Sequence, residues 1–190
     1  SWEWDGEVFY VTPQSTQRGI MPGSMIYRLG STRTLANNGT LQSIFGVGIT
    51  LSSSTIYDIE AWICLLGSGS SNSVSASLGF GGTATLTSIG YLTYRYFASG
   101  GLAVVNTPPA SMGWIATAAD TTTMTASSTA TTYQIYTMQG YVSVNAGGTF
   151  TPTLTISATG PVLTIQPGAF FNIYPVGAGG ASNVSVGTWA

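Results

Sequence analysis

Charged side chains are scarce in this sequence. Its 190 residues include no histidine, four basic residues and six acidic ones, so that 5% of the chain is charged, whereas soluble domains average about 25%. Histidine is the side chain that most often transfers protons near neutral pH, and it is the commonest metal ligand. Its absence excludes Ser-His-Asp and Cys-His catalytic sites, and we expect no catalytic residue, no metal site and no cofactor.

Cysteine is almost as scarce. Cys64 is the one cysteine, so an internal disulfide is excluded. It lies in the apolar segment 61–65, and we interpret it as a small buried hydrophobic residue. A reactive thiol would normally need a histidine or a cation beside it, and the chain has no histidine.

The sequence also lacks clustered basic residues and long apolar runs. With four basic residues and a net charge of −2, it has no basic stripe that could follow a phosphate backbone, so nucleic-acid binding is not expected. Its apolar runs are a handful of residues long. A membrane-spanning helix needs about 18 such residues, so membrane insertion is not expected either.

Alternation of apolar and polar residues is abundant. Hydrophobic residues make up 44% of the chain, and they recur at every second position rather than with a helical period. Residues 55–63 are typical, because Tyr57 and Ile59 fall on one face of a strand while Asp58 and Glu60 fall on the other. Glycine-rich turns separate many such segments, which predicts an all-β protein whose antiparallel strands form a sandwich, a jelly roll or a barrel.

The length of the chain fits one domain, since domains commonly have about 100–200 residues. We predict a single jelly-roll domain over residues 1–190, in which residues 1–24 form an N-terminal arm or a linker from a longer parent chain. Residues 41–51 are predicted to form one strand. Within it, Gly46-Val47-Gly48 indicates a kink or a bulge.

Two predicted strands, 91–97 and 169–175, carry aromatic residues on both sides. A sheet with one face in water normally carries polar residues on that face. The second aromatic face of these strands must therefore be covered by another sheet or another copy of the chain. Because the chain has so little charge to keep copies apart, we expect a symmetric homo-oligomer with an apolar interface. The residues predicted to contact the neighbouring copies are Phe170, Tyr174 and Tyr141.

Two carboxylates leave an enzymatic alternative open. Asp58 and Glu60 are two residues apart in one strand, so they share a face and lie roughly 7 Å apart. That spacing would suit the paired acids of a glycosidase. A carbohydrate-active enzyme that uses Asp58 and Glu60 is therefore one alternative, although a solvated or arginine-paired strand face is the more ordinary interpretation.

Several segments of the sequence carry a resemblance to a known group of proteins. They are residues 35–51 with 55–60, residues 140–152, and residues 167–177 followed by Val186-Gly187-Thr188-Trp189. In these segments the chain resembles the C-terminal β-domain of tailed-bacteriophage virion proteins, which sits at the ends of fibre-like or capsid-surface proteins. The resemblance covers most of the chain and implies a trimeric jelly roll of the tumour-necrosis-factor-like kind, without catalytic residues.

The resemblance implies a non-enzymatic surface protein of an extracellular virus particle. It would be either a fibre module for host attachment or a capsid-decoration module that stabilises the particle, and the sequence supports both. Its partners would be further copies of itself and other virion proteins of the capsid or fibre, with a host surface glycan as an additional candidate. A bacterial adhesin or pilin subunit is another alternative, because such subunits assemble by strand exchange.

Overall fold

The computed structural model describes residues 2–4, 9–14, 17–21, 23–36, 39–68, 73–98, 122–127, 133–156 and 162–178. The regular elements within these ranges are fifteen β-strands, and the pairs that they form are antiparallel. No helix in the described part of the chain has the length and apolar character needed to cross a membrane. The terminal Gly187-Thr188-Trp189 segment lies outside the described residues.

Three strands near the N-terminus form a small sheet of their own. Their bounds are β1 Trp2–Trp4, β2 Phe9–Gln14 and β3 Gln17–Met21. They pair in the order β1-β2-β3. All three lie within residues 1–24, the segment predicted from the sequence as an arm or linker.

A seven-stranded sheet forms one layer of the sandwich. Its strands are β4 Met25–Arg28, β5 Arg33–Leu35, β8 Thr55–Ser68, β10 Thr85–Ala98, β12 Tyr133–Ala146, β14 Val162–Ile165 and β15 Phe170–Ala178. The central strand β8 pairs with β12 along one edge, while β15 and β14 share its other edge. The sheet continues with β10 beyond β12, with β4 beyond β15 and with β5 beyond β14.

A five-stranded sheet forms the facing layer. Its strands are β6 Leu41–Ser43, β7 Ile49–Leu51, β9 Ser73–Gly82, β11 Thr122–Ser127 and β13 Gly148–Ile156. From β8 to β14 the chain crosses to the other sheet with each successive strand. This alternation between two antiparallel sheets is the jelly-roll arrangement, and it confirms the fold predicted from the sequence.

Aromatic residues from both sheets meet in the core. Phe80 stacks on Phe150 with ring centroids 4.6 Å apart, and it contacts Tyr91 of the opposite sheet edge-to-face at 5.3 Å. Phe171 lies 6.3 Å from both phenylalanines. Such ring pairs add about 0.5–1.5 kcal/mol each beyond the burial of their area, so this cluster holds the two sheets together.

The single strand expected over residues 41–51 is instead divided. Its two parts, β6 and β7, pair with different segments of β13. Between them Gly46 has a φ of 78°, which extended backbone does not adopt, and Ile44 and Phe45 turn into the core with 0% and 4% exposure. The Gly46-Val47-Gly48 motif therefore correctly predicted an interruption of the strand, but the interruption is a loop between two strands rather than a kink or bulge within one.

Candidate interaction surface

The seven-stranded sheet turns one face to the core and the other away from the five-stranded sheet; the second is called the outer face. Along β8, Tyr57 and Ile59 are buried in the core. The intervening residues Asp58, Glu60 and Trp62 point to the outer face, where Glu60 is exposed and the other two are half-buried. The alternation predicted for this strand is therefore confirmed.

The register of the sheet places the three predicted contact residues on the outer face. Tyr141 of β12 and Tyr174 of β15 are both paired with Asp58, one on each side. Phe170 of β15 is paired with Trp62 further along β8. Side chains of directly paired residues point to the same face of a sheet. All three predicted residues are half-buried, so the structure brings them together on one partly exposed surface.

A depression of about 310 Å³ lies on the outer face and is named the aromatic depression. Its lining includes three rings and three polar side chains: Trp62, Tyr94, Phe170, Glu60, Thr137 and Gln139. The three rings are half-buried. Contiguous aromatic surface that remains partly exposed commonly marks the site of a partner.

Asp58 lies in a partly desolvated environment beside this depression. Burial raises the pKa of its carboxyl above the usual 3.8, and a hydrogen bond donated by the Tyr174 hydroxyl offsets part of that rise. The pKa of Tyr174 is raised as well, first by burial, then by the charge of Asp58 and the hydrogen bond to it, and by the charge of Glu60. Tyr174 therefore stays protonated at neutral pH, and the bond holds its ring in place.

The two acids of the enzymatic alternative have different surroundings. Asp58 accepts the Tyr174 hydrogen bond, whereas Glu60 is exposed and lines the aromatic depression. The two share a face, as the sequence predicted. In the ranges that the structure describes, no group of three or more cysteine and acidic side chains could hold a metal ion.

Several residues of this surface were not among the predicted contacts. Trp62 could have been recognised, because the alternation of β8 puts it on the same face as Glu60, and so could Tyr94 from its two-sided strand. Arg28 and Ile26 could not have been recognised from the sequence. They reach the surface because β4 pairs with β15, and nothing in the local sequence of β4 indicates that pairing.

Cys64 is buried, with 7% of its surface exposed, and is a free thiol. Burial raises the pKa of this thiol above 9.0. The prediction that it is a small buried hydrophobic residue is confirmed.

No protein-family model and no curated protein matches the sequence. Among solved structures, a chain of infectious bursal disease virus, Gx strain, aligns with 87% of this chain and 44% of its own length, at 9% identity and a TM-score of 0.21. A chain of the Gt strain aligns with 99% of this chain and 54% of its own, at 8% identity and a TM-score of 0.20. This chain thus spans about half the length of each. Neither likeness is close enough to indicate a shared fold or function.

Proposed function

We propose that this protein is a non-enzymatic structural component of a virus particle and that it assembles as a homotrimer through its outer face. The observation that carries the proposal is the set of half-buried aromatic residues on the outer face of the seven-stranded sheet. The contacts to the neighbouring copies would be made by Phe170, Tyr174 and Tyr141.

The chemistry of the outer face supports a permanent contact between copies. Trp62, Phe170 and Tyr94 surround one depression, and large rings of this kind supply much of the binding energy at interfaces. Interfaces of obligate oligomers resemble a protein core cut in half. The seven-stranded sheet carries aromatic residues on both faces. Its inner face forms part of the protomer core, and its outer face would form one side of such an interface.

The composition supports a place on the surface of a particle. A chain with 5% charged residues and no histidine offers few groups for acid–base chemistry, whereas its rigid antiparallel sheets suit a structural role. The resemblance to C-terminal domains of tailed-bacteriophage virion proteins points the same way. Both a fibre module for host attachment and a capsid-decoration module remain within the proposal, with other virion proteins as partners.

Two measurements test the proposal. Sedimentation equilibrium at micromolar concentration should give three times the monomer mass, because a partly exposed aromatic face favours association. Antibody labelling or cryo-electron imaging of the particle should then place the protein at a fibre end or on the shell. A monomer in the first measurement rejects the trimer, and absence from purified particles in the second rejects the virion role.

The enzymatic alternative is tested on the same surface. Asp58→Asn and Glu60→Gln, alone and together, remove the two carboxylates while keeping the shape of the side chains. If the protein cleaved host polysaccharide and the double variant did not, the non-enzymatic proposal would be wrong. We expect no cleavage by either protein.

A further inference from the structure

The pairing of the strands arranges side chains of the outer face in rows that run across the seven-stranded sheet. Side chains of directly paired residues point to the same face. One row, named the aromatic row, consists of Tyr94, Thr137, Trp62, Phe170 and Arg28. The row beside it, named the polar row, contains Gln139, Glu60 and Asn172. The aromatic row crosses five strands, so its ends are about 19 Å apart.

The aromatic row offers three rings and one cation. Trp62, Phe170 and Tyr94 are half-buried and line the aromatic depression. Arg28 is exposed at the β4 end of the row. A β carbon at Gly168 would lie 3.6 Å from the Nη2 of Arg28 and 4.0 Å from a ring carbon of Trp62, so the guanidinium lies near the indole of the same protomer. The row thus combines an apolar platform with hydrogen-bond donors.

The polar row offers a carboxylate between two amides. Glu60 and Gln139 are exposed, and within the described part of the chain neither side chain has a hydrogen bond. Asn172 is half-buried, and its Oδ1 accepts a hydrogen bond from the Ser24 hydroxyl at 2.5 Å. That bond leaves the NH₂ group of Asn172 as a donor. The row can therefore both donate and accept hydrogen bonds from a ligand laid across it.

Rings beside such polar groups fit the chemistry of a sugar. The C–H groups on the face of a sugar ring carry partial positive charge and are attracted to the negative face of an aromatic ring. The hydroxyls around its edge both donate and accept hydrogen bonds. A purely apolar occupant, such as a lipid chain, would instead bury the carboxylate and amides of the polar row without partners, which is costly. An acidic sugar would bring a second negative charge to Glu60.

We propose that the aromatic row and the polar row together bind a neutral oligosaccharide. The rings stack on the faces of its sugar units, Glu60 accepts hydrogen bonds from its hydroxyls, and Gln139 and Arg28 donate to them. Because the aromatic row is about 19 Å long, it accommodates several linked sugar units. This inference rests on the proposed function in its host-attachment form, for which it names the class of ligand.

The site is compatible with the proposed contacts between copies. Tyr141 and Tyr174 lie in another row, where both are paired with Asp58. That row is four residues along β8 from Trp62, a distance of about 13 Å. Unlike Glu60, Asp58 already accepts a hydrogen bond, from Tyr174. A neighbouring copy can contact Tyr141 and Tyr174 while the polar row stays open, with Phe170 at the boundary between the copy and the ligand.

A glycan array tests the class of ligand. The wild-type protein is applied to immobilised tetrasaccharides of glucose, mannose, galactose and N-acetylglucosamine, with sialylated and sulfated oligosaccharides beside them. We expect binding to at least one of the neutral tetrasaccharides. Binding to none of them, or to the acidic oligosaccharides alone, would overturn the proposal.

Isothermal titration calorimetry with the neutral tetrasaccharide that binds best then locates the site. Trp62→Ala removes a ring and Glu60→Ala removes the central carboxylate, so each should weaken binding at least about 10-fold. Leu41→Ala is the matched control, because Leu41 is 51% exposed on β6 of the other sheet, and it should bind as the wild type does. Far-ultraviolet circular dichroism checks that each variant is folded.

Glu60→Ala separates sugar recognition from a general affinity of exposed rings for apolar molecules. Removing the carboxylate would leave a merely apolar association unchanged or make it stronger. Wild-type affinity in Glu60→Ala, or an equal loss in Leu41→Ala, would therefore overturn the site. Since Glu60 is exposed, this variant should fold even if Trp62→Ala does not.

The outcomes also separate the site from the function on which it rests. A trimeric protein that is found on virus particles but binds no neutral tetrasaccharide rejects the site alone. A protein that binds a tetrasaccharide through Trp62 and Glu60 but is monomeric and absent from particles rejects the proposed function and supports the site.

Discussion

Tyr174 donates a hydrogen bond to Asp58, its register partner across β15 and β8. The bond ties an aromatic side chain of the outer face to a partly desolvated carboxylate. Because the bond involves a group that titrates in the acidic range, the stability of the sheet at this point depends on pH.

We expect folding stability to fall as pH rises above 3.8 through the raised pKa of Asp58. A carboxyl with a higher pKa in the folded state than in the unfolded state binds more protons when folded over that window, so raising the pH removes stability. Asp58→Asn lacks this contribution but can still accept the Tyr174 hydrogen bond. The stability of the variant relative to wild type should therefore increase through the window and level off above it.

Urea unfolding of both proteins from about pH 3 to pH 7 measures this difference. Two stability curves that stay parallel over the whole range would show that burial does not perturb Asp58.

Tyr174→Asp should prevent trimer formation. The variant puts another carboxylate beside Asp58 and Glu60 on the surface proposed to be buried, and unpaired like charges oppose burial. Tyr174→Phe is the matched control, because it keeps the ring and loses the hydrogen bond, and it should remain a trimer. Sedimentation velocity distinguishes the two. A trimer unaffected by Tyr174→Asp would reject this choice of face.

Gly140→Ala should destabilise the fold by about 1–3 kcal/mol, as overpacking in a core commonly does. A β carbon at position 140 would lie 2.5 Å from the β carbon of Tyr91 on the paired strand, so β10 and β12 would have to separate. Gly30→Ala is the control, because nothing lies within 4 Å of its added carbon, and it should change stability by less than about 0.5 kcal/mol. Chemical denaturation compares them, and equal effects would contradict the close approach.

Cys64 should resist modification in the native protein. Its thiol is 7% exposed, and burial raises its pKa, so both access and the reactive thiolate are limited. We expect its reaction with a disulfide reagent at neutral pH to be roughly 100-fold slower than in the urea-unfolded chain. Comparable rates in the two states would show that the segment around Cys64 opens readily.

The sequence by itself determined which faces the side chains of the main strands occupy. Since successive side chains of a strand point to opposite sides, the pattern placed Phe170 and Tyr174 on one face of their strand and Phe171 on the other, and the structure buries Phe171 while Phe170 and Tyr174 stay half-buried. The same pattern, with glycine-rich turns, was sufficient to predict an all-β protein. The scarcity of charge and the absence of histidine are likewise properties of the sequence alone.

Only the tertiary structure decided which of these residues are neighbours. Tyr141 and Tyr174 flank Asp58 because β12 and β15 pair with opposite edges of β8, and Arg28 joins the surface because β4 pairs with β15. Residues 41–51 divide because their two halves meet different parts of β13. Periodicity specifies which face of its strand a residue occupies. Which strands pair, and in what register, depends instead on the packing of segments far apart in the chain, and a local sequence pattern does not encode that.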